Sequence, residues 1–193
     1  MYIAIEGIDY TGKSTQIEAL KQHFPDAIFT QEPGATPLGE QLRELALHTK
    51  MHNLARSFIF LADRAEHIAQ VVAPSRAEKM IISDRSLISG VAYAGDLAEM
   101  AQLVAVNRMA AHGVLPDLAV ILKIDDTNTL LRRMANQKPD EIEKEGLDYL
   151  LKVQEGLIAA AEALGIPFET IDAALPQSDI TEKIKELIDD YSA

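Results

Sequence analysis

The sequence predicts an α/β fold of three layers, a five-stranded parallel sheet flanked by helices. Three observations carry that expectation. Five short apolar runs alternate with longer segments of helical periodicity. The runs are nearly continuous rather than alternating, as in strands covered on both faces. The chain has 193 residues, 48% hydrophobic and 25% charged, which suits one domain with a single core.

The elements follow in order. The first run, Tyr2–Glu6, enters a Gly-containing turn and then a helical pattern at 13–23. Ala27–Thr30 is the second run, and the pattern at 38–48 after it puts Leu38, Leu42, Leu45 and Ala46 on one face. A long helical pattern at 54–72 precedes the run Met80–Ser83. Helical spacing resumes at 97–112, and Val114-Leu115-Pro116-Asp117 turns the chain into the run Leu118–Ile124. Two more helical patterns, 127–136 and 147–164, come next. Gly165-Ile166-Pro167 stops the second and leads to the run Phe168–Ile171. A last helix at 179–190 aligns Ile180, Ile184, Leu187 and Ile188. Strands separated by helices imply βαβ units and a doubly wound sheet. Ala135–Gly146 differs in character: it is polar and carries Lys138, Pro139 and four acids. It reads as a mobile lid, at about 133–146, on a single domain spanning 1–193.

Composition excludes several classes. With 18 Lys+Arg against 30 Asp+Glu the net charge is −12, which disfavours a nucleic-acid backbone or an anionic membrane as partner. The absence of Cys removes disulfides, thiolate metal sites and cysteine nucleophiles. No apolar run approaches the ~20 residues of a membrane span. The opening Met1-Tyr2-Ile3-Ala4-Ile5-Glu6-Gly7 has no basic segment and does not read as a signal peptide. The expectation is a cytoplasmic protein.

Gly7-Ile8-Asp9-Tyr10-Thr11-Gly12-Lys13-Ser14 matches G-x-x-x-x-G-K-[ST], between a strand and a helix. Gly7 and Gly12 let the backbone curl so that its N–H groups form an anion nest. The following helix adds its positive end. Lys13 reaches toward β- and γ-phosphates, and the Ser14 hydroxyl is placed for Mg²⁺. The segment predicts a P-loop nucleotide-binding protein. Asn136-Gln137-Lys138-Pro139-Asp140 lacks the spacing of a guanine-reading N-K-x-D, and the chain is short for a motor or transporter. A small P-loop kinase fits best.

On the acceptor side, Asp84-Arg85 follows the run Met80–Ser83, so both side chains fall at the carboxyl edge of the sheet. There an Arg can grip phosphate and an Asp can hold a metal-bound water. Alone, the pair reads equally well as a surface ion pair. Phe60 and Arg64 share a helix face at i, i+4, a ring and a guanidinium that suit a planar base. Taken alone, Phe60 reads more readily as core.

These residues resemble the thymidylate kinase family, over most of the chain. Glu6-Gly7-Ile8-Asp9 with Gly12-Lys13-Ser14-Thr15 is similar to the family's P-loop. Glu32-Pro33-Gly34-Ala35-Thr36 resembles its E-P-G-G-T segment, followed by Arg43. Phe60-Leu61-Ala62-Asp63-Arg64 resembles its base-binding helix. Asp84-Arg85-Ser86 with Ser89-Gly90-Val91-Ala92-Tyr93 resembles its D-R-Y…S-x-x-A-Y block.

The resemblance implies a dTMP kinase using ATP and Mg²⁺, and a homodimer. It implies that Asp9 lies near the dTMP phosphate and sugar, with Arg85 bridging the two phosphate groups and Arg43 holding that of dTMP. Phe60 would stack on thymine and Arg64 address its O4. Ser89, Gly90 and Tyr93 would line the nucleoside pocket, while Glu32 and Asp84 would be metal- or water-linked carboxylates. Four positions depart from the pattern. Tyr10 occupies a P-loop position where one branch carries a catalytic Arg. Ser86 replaces an aromatic, Ala94 a base-reading Gln, and Glu141 the lid cation. Arg133 and Lys138 are the remaining candidates to meet the transferring phosphoryl group, Arg133 also as part of the ATP site, with Arg132 a solvated neighbour.

Five His, at 23, 48, 52, 67 and 112, show no metal-ligand spacing. His67 reads as an ordinary, partly exposed residue that the helix brings near the pocket. Phe58, Leu61, Ala65, Ile68 and Val72 form a second stripe on the same helix, suited equally to core or dimer. Rival functions are a deoxynucleoside kinase and a catalytically silent nucleotide-binding switch protein. Arg43 with Arg85 argues for a phosphorylated acceptor. Residues 1–135 hold 13 Lys+Arg and 16 Asp+Glu, whereas 136–193 hold 5 and 14. Every proposed phosphate cation except Lys138 therefore lies in the nearly neutral part.

Overall fold

The computed structural model describes residues 1–135 and 146–192. Strands β1 (Tyr2–Gly7), β2 (Ile28–Gln31), β3 (Ile81–Asp84), β4 (Leu118–Lys123) and β5 (Phe168–Asp172) form one sheet, ordered β2-β3-β1-β4-β5. Every pairing is parallel. The five apolar runs all became strands, displaced by a single residue at most. β1 is buried throughout and β4 nearly so, which explains why neither alternates.

The helices are α1 (Lys13–His23), α2 (Pro37–His48), α3 (Asn53–His67), the single turn α4 (Ala73–Ser75), α5 (Leu87–Ala92), α6 (Met100–Ala110), α7 (Thr127–Met134), α8 (Leu147–Leu164) and α9 (Gln177–Ser192). α1 packs on α9, while α5, α6 and α8 pack together. Local chemistry sets the ends. Thr36 caps α2 by accepting from the Gly39 N–H at 2.9 Å, with Pro37 in the first turn. Gly165, at φ 65°, terminates α8 in the left-handed region.

Three helix expectations need correction. The pattern at 54–72 is not one α-helix. α3 ends at His67, a π-helical turn spans Ile68–Val72, and α4 follows. Pro74 has no N–H for the Gln70 carbonyl, and the ladder widens just before it. The pattern at 97–112 starts later, at Met100, where Glu99 and Gln102 form a capping box. α5 was not expected at all; it lies inside the Ser86–Tyr93 motif.

The register assembles the site. Ile5 of β1 and Gln31 of β2 both stand opposite Asp84 of β3, and Gly7 stands opposite Leu122 of β4. The Arg85 N–H donates to the Ile5 carbonyl at 3.0 Å, and the Glu32 N–H to the Asp84 carbonyl at 2.9 Å. Three loops thus leave one sheet edge side by side. Beneath them Ile3, Ile5, Ile82, Val120 and Leu122 belong with Leu20, Leu157, Ala160 and Ile184 to one buried apolar core.

Candidate active site

The phosphate loop is shaped by close backbone approach. Gly7 has φ 148°, and a Cβ there would lie 2.8 Å from the Leu122 carbonyl oxygen. A larger residue would force the loop off β4. Gly12 (φ 90°) opens α1. Thr11 Oγ1 donates to the Ile8 carbonyl at 2.8 Å, and Lys13 Nζ donates to the same oxygen at 2.9 Å. Ile8 serves through that carbonyl, since its side chain is core. Ser14 and Thr15 are exposed in the first turn of α1. Lys13 is only 7% exposed. Burial, reinforced by the Arg85 charge, lowers its pKa to about 8.

Arg85, just past β3, meets Lys13 at Asp9. It holds φ 68°, a sparsely populated conformation for any residue other than glycine and one that recurs at functional sites. Its Nη1 donates to the Gly7 carbonyl at 3.0 Å and to Ser89 Oγ at 3.2 Å, and its Nη2 donates to Asp9 Oδ1. Lys13 Nζ stands 3.9 Å from the same Asp9 oxygen. The Tyr93 hydroxyl donates to Asp9 Oδ2 at 3.3 Å, and its ring lies under the guanidinium, 5.3 Å from centroid to Cζ. Although burial opposes it, the Arg85 and Lys13 cations hold the Asp9 carboxyl below its ordinary range.

A second layer supports these groups. The fully buried Glu6 accepts from Ser86 Oγ at 2.7 Å and from Ser89 Oγ at 2.6 Å. Burial raises its pKa despite both hydroxyls. Ser86, at the position of an aromatic in the family pattern, therefore caps α5 and ties it to β1.

Arg64 is buried beside the cleft. Its Nε donates to Glu32 Oε2 at 2.8 Å, Nη1 to Asn107 Oδ1 at 2.6 Å and Nη2 to the Ser86 carbonyl at 3.1 Å. Breaking one side of such a buried pair typically costs about 3–5 kcal/mol. Burial works against the Glu32 charge, but Arg64 and His67 overcome it and depress the pKa. His67 is fully buried, with Nδ1 2.9 Å from Glu32 Oε1 and Nε2 2.8 Å from Thr30 Oγ1. The expectation of a partly exposed His67 was wrong: α3 turns it toward β2, where Glu32 and Thr30 satisfy both nitrogens. Buried Asp63 accepts from the Gly34 N–H at 2.9 Å, and burial raises its pKa to about 6.

A cleft of about 340 Å³ opens on these side chains, within the size range of small-molecule sites. It is lined by Asp9, Glu32, Arg43, Phe60, Arg64, Arg85, Ser89, Gly90 and Tyr93, so the residues expected on the acceptor side share one cavity. Arg43 Nη1 donates to the Pro33 carbonyl at 2.8 Å at its mouth. Arg133 stands apart, on the P-loop's flank. Its Nη1 donates to the Tyr10 carbonyl at 3.0 Å and its Nη2 to the Ala173 carbonyl at 2.9 Å. Arg132 is an exposed neighbour bonded to Thr129 Oγ1 at 2.6 Å. Lys138, Asp140, Glu141 and most of the expected lid lie outside the described residues. Among the described residues no cluster of three His, Asp or Glu forms a metal cage. Asp84 Oδ1 is buried without a hydrogen-bond partner among them.

Sequence reasoning gave no role to Glu6, Asp63 or Asn107. For Glu6 a signal existed, a carboxylate inside an apolar strand. Asn107 carried none, because its importance comes from the crossing of α6 against α3.

Comparison with known proteins points to one family. The family model described as thymidylate kinase matches residues 5–184. A thymidylate kinase of Sulfurimonas denitrificans is 47% identical, over 95% of this chain and 97% of its own. One of Nautilia profundicola is 43% identical over 99% and 98%. One of Helicobacter pylori is 42% identical over 100% and 97%. The chain belongs to the thymidylate kinase family.

Proposed function

We propose that the protein transfers the γ-phosphoryl group of ATP to dTMP, giving ADP and dTDP in dTTP synthesis. One observation carries this reading. Asp9 Oδ1 is shared by Lys13 of the phosphate loop and Arg85 of the acceptor cleft. Lys13 serves the donor nucleotide and Arg85 reaches from the acceptor cleft toward both, and the carboxylate spaces them until phosphates arrive. A neutral nucleoside acceptor would not call for Arg43 and Arg85 in the cleft, which weighs against a deoxynucleoside kinase.

In the reaction an oxygen of the dTMP phosphate bonds to the γ-phosphorus, and the bond to the β,γ-bridging oxygen breaks. The transition state asks for positioning and positive charge rather than covalent chemistry. Lys13 and the loop N–H groups hold the donor phosphates. Arg43 binds the acceptor phosphate, and Arg85 spans both. Phe60 and Arg64 fix the base, and Tyr93 closes the sugar side. Arg133 and Lys138 are the cations proposed for the lid, at about 133–146 of a single domain.

Magnesium belongs to the same reading. The unpartnered Asp84 Oδ1 and the exposed Ser14 hydroxyl suit a hard cation that keeps most of its waters. When bound, Mg²⁺ would draw charge from the β- and γ-phosphate oxygens. A homodimer is also proposed. Ile68 and Val72 of the apolar stripe are core, but Phe58 is 60% exposed, and Leu54, Leu45 and Leu38 are exposed as well. No helix among the described residues is long and apolar enough to cross a membrane, and a cytoplasmic location is part of the proposal.

Incubation with Mg·ATP and dTMP should yield ADP and dTDP in equal amounts by chromatography. ADP without dTDP would point to hydrolysis and reject the transfer.

A further inference from the structure

We infer that His67 is a positioning residue for base recognition, acting through Glu32 on Arg64. The inference rests on the proposed function only in taking Arg64 to face the acceptor base.

The geometry assigns each atom of the relay. A carboxylate can only accept, so the proton shared between His67 Nδ1 and Glu32 Oε1, 2.9 Å apart, sits on the imidazole. In the neutral ring of that tautomer Nε2 is the acceptor, and the Thr30 hydroxyl 2.8 Å away is placed to donate to it. With Oε1 engaged, Glu32 presents Oε2 to both Nε and Nη2 of Arg64, each at 2.8 Å. Asn107 Oδ1 and the Ser86 carbonyl accept further hydrogen bonds from Nη1 and Nη2. The guanidinium is thereby held from three sides, and its remaining freedom is the rotation of the Glu32 carboxylate. His67 removes that freedom.

Nothing else explains the arrangement as well. His67 does not line the cleft, so it does not touch substrate. A histidine needed only to fill space would not require a proton donor toward Glu32 and an acceptor toward Thr30. Metal ligands show the same device, in which an outer partner orients the group that makes the functional contact.

Two conservative variants separate the claims. His67→Asn can place an amide N–H where Nδ1 was and keeps the bond to Glu32. His67→Gln can reach Thr30 but leaves Glu32 Oε1 without its donor. In the ligand-free protein, ¹⁵N NMR should show a slowly exchanging Arg64 Nε–H signal, assigned by its loss in Arg64→Lys. It should persist in His67→Asn and broaden or vanish in His67→Gln. In steady state, His67→Gln should raise the KM for dTMP about 10- to 100-fold, the loss expected for one buried hydrogen bond. The KM for ATP should stay within about twofold, and His67→Asn should restore most of the loss. An Arg64 signal unchanged in His67→Gln, or equal losses for dTMP and ATP in both variants, would overturn the inference. Wild-type protein that does not use dTMP would overturn the proposed function instead, and the NMR comparison would still decide the relay.

Discussion

The Arg64 guanidinium occupies the space that a side chain on Gly90 would fill. A Cβ on Gly90 would lie 2.5 Å from Arg64 Nη1 and 2.5 Å from Asn107 Oδ1. The glycine in α5 is therefore a requirement of the base pocket, since the bond between α3 and α6 passes directly over it.

Gly90→Ala should displace the guanidinium rather than the helix. Overpacking of this kind costs about 1–3 kcal/mol. We expect a dTMP KM raised about tenfold or more, with the ATP KM little changed. Unchanged dTMP kinetics would show that Arg64 does not set acceptor affinity.

Lys13 should take up a proton when ATP binds. Its pKa in the free protein is lowered from 10.5 to about 8. Between those values the unfolded chain binds the extra proton, so the ligand-free protein gains stability from this group as pH rises. Phosphate reverses the balance by favouring the ammonium. Calorimetry at pH 8.5 in buffers of different ionisation heat should show uptake in the wild type and none in Lys13→Met. Buffer-independent heats would contradict the depressed pKa. Turnover should be lost in Lys13→Ala; near-normal turnover would refute the loop's role.

Asp63 should destabilise the fold above its own pKa. The folded carboxyl titrates at about 6, above its ordinary 3.8. The folded state therefore binds more protons between those values, and stability contributed by Asp63 falls as pH rises through them. Melting temperatures at pH 4.5, 6 and 7.5 should show Asp63→Asn gaining on the wild type with each step. A constant difference would mean that Asp63 does not titrate in this range.

The lid cation can be assigned by two variants. If Lys138 meets the transferring phosphoryl group, Lys138→Ala should lower kcat about 100-fold or more while dTMP binding changes little. Arg133→Ala releases the Tyr10 and Ala173 carbonyls and should raise the ATP KM. A kcat loss confined to Arg133→Ala moves the role to the end of α7. No loss in either contradicts a lid cation.

How much of this was legible in the sequence depended on range. β1, β3 and β4 were plain because continuous apolar runs need no partner to be recognised. The phosphate loop was plain because its glycines, Lys13 and Ser14 are adjacent. α5 was missed because six residues are too few to show periodicity. The break at Ile68 was missed because Pro74 perturbs the turn before it, while the apolar spacing continues across. His67 and Asn107 were misjudged or missed for one reason: their partners lie 35 and 43 residues away in sequence. Spacing along a helix reports which residues share a face, not which strand that face meets.

The most direct test of the central claim is a competition panel. Purified protein with Mg·ATP would receive dTMP, dUMP, dCMP, ¹⁵N-labelled AMP, GMP and ¹⁵N-labelled thymidine together, and the phosphorylated products would be resolved by mass, with unlabelled ADP assigned to ATP. The account predicts dTDP as the dominant acceptor product, with no labelled ADP to match it and no labelled dTMP. A preference for AMP, or phosphorylation of thymidine instead of dTMP, would contradict it.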